Sequence, residues 1–305
     1  MHSKMSLQIH CGIMPHLPKS NLAPAEDRLD LSAPIPGAID ELPPSQRGED
    51  ISESNILLAN PEALPLRDLS AIVRRGGSTH RHRVVIVAPH PDDETLGCGG
   101  AISLLCNNYD VRVLVISDGT LSHPNSQKYP APILQSIREG ETLTALAILG
   151  VKPEAITFLR LKDGSVPTLT SVNFIKAKIR CQDYLKAALP DTIFIPWRFD
   201  PHADHRATWQ LIQAAILSLG IAPQTIEYPI WDWDTQQQQQ RTDLVEISGW
   251  RLDIATVLDR KCQAIAAYRS QLGQLIDDDP SGFCLTAELL VNFKRPWEVY
   301  FEKIL

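Results

Sequence analysis

The chain has 305 residues, with 29 basic and 36 acidic side chains and a formal charge of -7. That balance offers no basic footprint for nucleic acid or for an anionic membrane surface. There is no apolar run of the 18 or so residues that a transmembrane helix needs, and the polar start lacks a signal peptide's apolar core. Six cysteines, at 11, 98, 106, 181, 262 and 284, show no paired spacing, which fits a reducing compartment and a cytoplasmic setting.

In chain order, residues 1–70 read as a proline-rich leader or strap, with the domain proper over 71–305. Prolines at 15, 18, 24, 34, 36, 43, 44, 61 and 65 interrupt any helix there, and Ser45 to Ser54 has little to bury. ALPLRDLSAIVRR is a short helix candidate, followed by the basic joint RRGGSTHRHR. Isolated histidines at 10, 16, 80 and 82 sit in polar segments, and the plain reading is solvent exposure.

Val84 to Val87 is an unbroken β-branched run, expected to be a strand buried on both faces. It runs into Pro89-His90-Pro91-Asp92-Asp93-Glu94 and then a glycine-rich helix start, whose Gly97, Gly99 and Gly100 match no phosphate-loop spacing and are read as close-packing positions. Strands follow at Asp110 to Ile116, Ala155 to Leu159 and Thr192 to Ile195, with helices at Ile133 to Leu149, Val172 to Leu189 and Arg206 to Leu219. The long loop between 117 and 132 has the length of a binding loop. This alternation predicts an α/β fold: a three-layer α/β/α sandwich on a Rossmann-like, mostly parallel sheet. Beyond Gly220 the expected elements are a strand over Ile226 to Trp233, an exposed glutamine tract, and a strand over Leu244 to Leu252. A long helix over Ile254 to Leu275, a short helix near Thr286 to Leu290 and an edge strand at 297–301 complete the chain.

The loop after Val87 lies where open α/β sheets place ligands. A second loop, Pro201-His202-Ala203-Asp204-His205, follows the fourth strand, so two His/Asp loops can face one another. Three carboxylates and an imidazole in five residues repel without a cation among them. His90, Asp93 and His205 would make a His2Asp set for Zn2+, with a coordination position left for water.

PHPDDE with a distant PHADH resembles the PIG-L or LmbE-type family of zinc-dependent de-N-acetylases, with the likeness running from about Arg83 to about Gln271. The resemblance implies that His90, Asp93 and His205 hold the metal and that Asp92 is the general base. It implies His202 as oxyanion donor or acid and Asp204 as its orienting partner, favouring the protonated ring. Arg138 and Glu141 match a helix of the family, and Lys261, Tyr268, Ser270 and Gln271 its late K…Y.SQ segment; Lys261 and Tyr268 are expected on one face of one helix. Ala203 departs from the proline often found there, leaving the proposed side chains in place.

The implied reaction is hydrolysis of the N-acetyl amide of an N-acetylglucosamine-containing compound, an N-acetylated amino sugar or its conjugate. Substrate contacts are expected from Arg138, Trp197, His123 and Tyr129, and from the segment around Trp231. Three rivals stand beside this: a zinc hydrolase of another amide, a non-catalytic phosphate- or nucleotide-binding module, and a catalytically silent interaction protein. The sequence leaves homo-oligomerisation open.

Overall fold

The computed structural model describes Leu58 and residues 60–73, 81–233 and 247–304. The leader through residue 57, the basic joint at 74–80 with His80, the glutamine tract, His10, His16 and Cys11 lie outside them. Strands are β1 (Leu66–Arg67), β2 (Arg83–Ala88), β3 (Asp110–Ser117), β4 (Ile156–Leu161), β5 (Thr192–Pro196), β6 (Gln224–Tyr228), β7 (Ile247–Asp253) and β8 (Trp297–Lys303). Helices are α1 (Asp93–Leu105), α2 (Ala131–Leu149), α3 (Phe174–Ala188), α4 (Ala203–Leu219), α5 (Leu258–Ile265) and α6 (Ala287–Phe293).

Alternation along the central strands builds three layers. Val84, Ile86 and Ala88 face α1 and α5 in one core, while Val85 and Val87 face α3 and α4 in the other. All of Val84 to Val87 are fully buried, which is why this strand reads as continuous apolar sequence. The sheet order is β1-β7-β8-β6-β5-β2-β3-β4. Only β8 is antiparallel to its neighbours β6 and β7; every other pairing is parallel. The chain leaves β2 toward β3 and β4, then returns to β5 on β2's other side. That reversal opens a crevice at the carboxyl ends of β2 and β5, where both His/Asp loops lie.

Several expectations are revised. In the described part of ALPLRDLSAIVRR, which ends at Val73, β1 and a 3-10 turn at Leu69–Ala71 stand in place of the expected helix. Ahead of position 70, Leu58 and Leu64 pack beside Val299 and Phe301. The strand expected over Ile226 to Trp233 stops at Tyr228, and Trp231–Trp233 form a 3-10 turn. The 297–301 strand is interior rather than an edge, because β7 and β6 flank it. The long helix of 254–275 ends at Ile265. Beyond it, the Ser270 N–H donates to Glu141 Oε1 at 2.8 Å instead of continuing a helical ladder, and Tyr268 turns toward Glu94. Lys261 and Tyr268 therefore do not share a helix face.

Glu298 of β8 is fully committed to the helix that carries the first motif. It accepts the N–H groups of Gly100 (2.7 Å) and Ala101 (2.9 Å), Lys261 Nζ (2.6 Å) and the Tyr300 hydroxyl (2.8 Å). The glycines serve packing, as expected. A Cβ on Gly97 would lie 2.3 Å from Tyr228 Cδ2, and one on Gly100 2.5 Å from Ile254 Cγ2. Tyr228 is fully buried and its hydroxyl donates to Val87 O at 2.7 Å, so the ring has little room to retreat. Gly97→Ala is accordingly expected to cost about 1–3 kcal/mol by overpacking, more than the 0.5–1 kcal/mol or so gained in helix propensity. Thermal unfolding checks it; an unchanged or raised midpoint would show that Tyr228 can yield.

Among the described residues no helix is long and apolar enough to cross a membrane, and Cys98, Cys106, Cys181, Cys262 and Cys284 are free thiols.

Candidate active site

The two motifs meet in the crevice because each sits on a strand-to-helix turn. Asp93 opens α1, and His205 stands in the first turn of α4. His90 Nδ1 lies 3.1 Å from Asp93 Oδ2, His205 Nε2 lies 3.2 Å from the same oxygen, and the two ring nitrogens are 3.3 Å apart. Three donor atoms thus form a near-equilateral triangle. Tetrahedral zinc with bonds of about 2.0–2.1 Å separates its ligand atoms by about 3.3 Å, so the set expected from sequence has the spacing of one face of such a site.

The outer nitrogens are oriented too. His205 Nδ1 is 3.3 Å from Asp200 Oδ2, and His90 Nε2 is 3.3 Å from both Asp204 Oδ2 and Asp163 Oδ1. A carboxylate behind each imidazole fixes which nitrogen faces the centre, the usual arrangement behind metal-bound histidine. Two other groupings around His90 are compact enough for a cation, one with His202 and His205 and one with Asp163 and Asp204.

Asp92 lies beside the triangle. Its backbone is held at φ 124°, a region that side chains other than glycine rarely occupy. Two devices hold it there. The Asp92 N–H donates to Glu94 Oε2 at 3.2 Å, and Glu94 in turn accepts the hydroxyls of Tyr268 and Thr95. Arg138 Nη2 donates to Asp92 Oδ2 at 3.1 Å and to Pro91 O at 2.5 Å, while Nη1 donates to Gly119 O at 2.9 Å. Burial pushes the Asp92 carboxyl up to about 8 against the pull of Arg138. A group in that range both takes up and returns a proton near neutrality.

His202 caps α4: its Nδ1 accepts the Asp204 N–H at 3.2 Å. That bond places the ring proton on Nε2. Burial, with His205 and His90 adding to it, pushes His202 down to about 4, so the ring is neutral with Nε2–H as its donor atom. This corrects the expectation of a protonated His202 supported by Asp204. The Asp204 carboxylate instead accepts Gly164 N–H at 2.7 Å and Val166 N–H at 3.1 Å and faces His90.

A cavity of about 430 Å³ opens onto these groups, lined among others by His90, Asp92, Asp93, Arg138 and His202. Of the expected substrate contacts, Arg138 borders it with both Nη atoms engaged by Asp92 and two carbonyls and its Nε without a partner among the described residues. Trp197 does not border it: it is fully buried against Phe301, with ring centroids 4.5 Å apart. His123 and Tyr129 are also absent from the lining; His123 is buried with its ring against Gly282. The 117–132 loop contributes Leu121 and Ser122 only, because Asp278 and Asp279 tie its far side down through Ser126, Gln127, Lys128 and Asn125. His82, read as exposed, is half-buried with Nε2 3.0 Å from the Thr192 hydroxyl. Asp163, Asp200, Glu94 and Gln271 were not assigned site roles from sequence. The signal for Asp200 was its place two residues before His202; Asp163 had none beyond the polar string KDGS.

A family model described as PIG-L, GlcNAc-PI de-N-acetylase, matches residues 85–216. The match covers 132 of the 305 residues. The PIG-L match spans both loops and ends inside α4, so β6 to β8, α5 and α6 extend beyond it. Solved structures agree on the fold. The A40926 pseudoaglycone deacetylase Dbv21 is 17% identical over 74% of this chain and 98% of its own, with a TM-score of 0.54. A zinc-inhibited form of the teicoplanin deacetylase Orf2 is 16% identical over 73% and 98%, at 0.53. GalB, the 4-carboxy-2-hydroxymuconate hydratase of Pseudomonas putida KT2440, is 22% identical over 64% and 81%, at 0.50. One PIG-L-like architecture therefore carries proteins named for different reactions, and the reaction must be argued from the site.

Proposed function

We propose that this protein is a zinc-dependent de-N-acetylase that cleaves the N-acetyl amide of an N-acetylglucosamine-containing compound, giving acetate and a free amine. The observation that carries the reading is the triangle of His90, Asp93 and His205 with an unligated carboxylate, Asp92, locked beside it. The PIG-L match supports the choice of an acetamido sugar. His90, Asp93 and His205 would hold the ion, which when bound activates water and polarises the acyl carbonyl.

The remaining work falls to the chain's own groups. Asp92 takes the proton from the attacking water and returns it to the departing nitrogen. Arg138 and Glu94 keep that carboxylate aimed while it changes charge. The Nε2–H of His202 donates to the oxygen on which negative charge develops, a stabilisation that needs a fixed donor but no net charge on the ring. Asp200 and Asp204 hold the two imidazoles in register.

Elemental analysis together with a panel of N-acetylated sugars, chito-oligosaccharides and sugar conjugates tests the reading. About one zinc per chain is expected, with acetate and primary amine released in equal amounts from at least one hexosamine. Faster release from an amide lacking any hexosamine would overturn the substrate class and leave the hydrolase; a metal-free active protein would sink both.

A further inference from the structure

The cavity changes character away from the triad. Leu96, Leu121, Ile230, Trp231, Phe283 and Leu285, from separate parts of the chain, form one wall of it. Leu121 keeps 47% of its surface exposed, so this is not simply core. Trp231 lies 25° from parallel with His202 at 6.2 Å, and Phe283 meets Trp231 edge-on at 5.5 Å. An apolar shelf therefore begins one ring away from the reacting groups.

Polar partners on this side are few. Asp163 accepts the Leu121 N–H at 2.8 Å and faces His90, and Arg138 is committed to Asp92. Two buried polar atoms of the lining have no partner among the described residues, one the Nε of Arg138 and the other on Gln271, which is fully buried. Its Nε2 donates to Ser270 Oγ at 3.0 Å and Ser122 Oγ at 3.4 Å, while its Oε1 has no partner among the described residues. A buried acceptor left unpaired beside an open cavity is a place for a ligand's donor. A bare sugar turned toward this wall would lose water from hydroxyls that find one acceptor among aromatic and aliphatic carbon.

We propose that the natural substrate carries an apolar group, aromatic or alkyl, within reach of the scissile amide. Trp231 and Phe283 bind this group, and Gln271 Oε1 accepts a hydrogen bond from a donor beside it. The inference rests on the amide-hydrolase part of the proposed function and narrows its substrate class. Two chemical sources would supply such a group: an apolar aglycone on the sugar, which keeps acetate as the product, or an acyl chain longer than acetyl, which keeps the amide hydrolysis and changes the acid released.

Two substrate series separate the sources, glucosamine carrying N-acetyl, N-butanoyl or N-hexanoyl groups, and methyl, phenyl or hexyl glycosides of N-acetylglucosamine. In the full chain, kcat/KM for amine release is expected to rise tenfold or more along one series, the discrimination that a hydrophobic pocket gives for added carbon. Trp231→Ala and, independently, Phe283→Leu should each remove most of that rise. Calorimetric titration of the same compounds reads affinity apart from turnover. Flat kcat/KM and flat affinity along both series overturn the proposal, and amine release from the acetylated members would still uphold the de-N-acetylase reading. A rise that survives in both variants overturns the assignment to this wall. No amine from any compound, with tenfold tighter binding of the apolar members lost in Trp231→Ala, overturns the de-N-acetylase reading and keeps the apolar site.

Discussion

Asp92→Asn is expected to keep its zinc and lose amide hydrolysis by roughly 10²–10⁴-fold, the scale of a positioned general base. Asparagine suits the test because it tolerates positive φ better than most residues, so the 124° backbone at this position survives the change. Its amide oxygen can still accept from Arg138 Nη2, so the Arg138 anchor on Pro91 and Gly119 is undisturbed. What disappears is the capacity to take a proton. Folding should not suffer, since the substitution removes one of three adjacent buried carboxyls, Asp92, Asp93 and Glu94, that oppose one another's ionisation. The checks are kcat, metal content and thermal midpoint on one preparation. A kcat within about threefold of the parent contradicts the general-base role, whose loss is normally far larger.

His205→Ala is expected to bring zinc from about one per chain to near zero and activity to background, because it removes one of the three proposed ligands. His205 is fully buried at the start of α4, so circular dichroism must accompany the metal analysis. Two comparison variants locate the ion. Asp200→Asn leaves the ligands in place and removes the charge behind His205, and a 10–100-fold weaker hold on zinc is the expected result under chelator competition. Asp163→Asn should retain zinc. Loss of metal from Asp163→Asn with retention in His205→Ala would put the ion on the other side of His90, in the group with Asp163 and Asp204.

The parts of this molecule legible in sequence are those whose partners are generic. Val84 to Val87 announce a central strand because any neighbour on either face buries them equally well. The two loops announce a crevice because strand ends in a parallel sheet point the same way. What was hidden depends on particular distant partners. Residues 266–275 keep helix-like composition, yet Ser270 is claimed by Glu141 and Tyr268 by Glu94, groups more than 120 residues earlier. Asp204 next to His202 invites pairing by proximity, but the backbone N–H groups of Gly164 and Val166 capture its carboxylate, and no spacing rule exposes that. Trp197 beside the second motif looked like a rim residue; its position just past β5 turns it into the packing between sheet and Phe301.

The placement of β8 bears on when the active centre comes into being. This strand is made after every other described element, yet it fills the gap between β6 and β7. Until it docks, both neighbours present unpaired edges, and the Gly100 and Ala101 N–H groups in the helix behind Asp92 and Asp93 lack the Glu298 carboxylate. That contact closes a span of 198 residues, and the entropy of such a closure must be met before the contact contributes anything. During synthesis, then, both His/Asp loops leave the ribosome long before the helix carrying the first of them has its last acceptors. Assembly of the crevice between the two His/Asp loops is thereby tied to completion of the sheet, and a chain stopped short of residue 297 presents sticky strand edges together with an unfinished crevice.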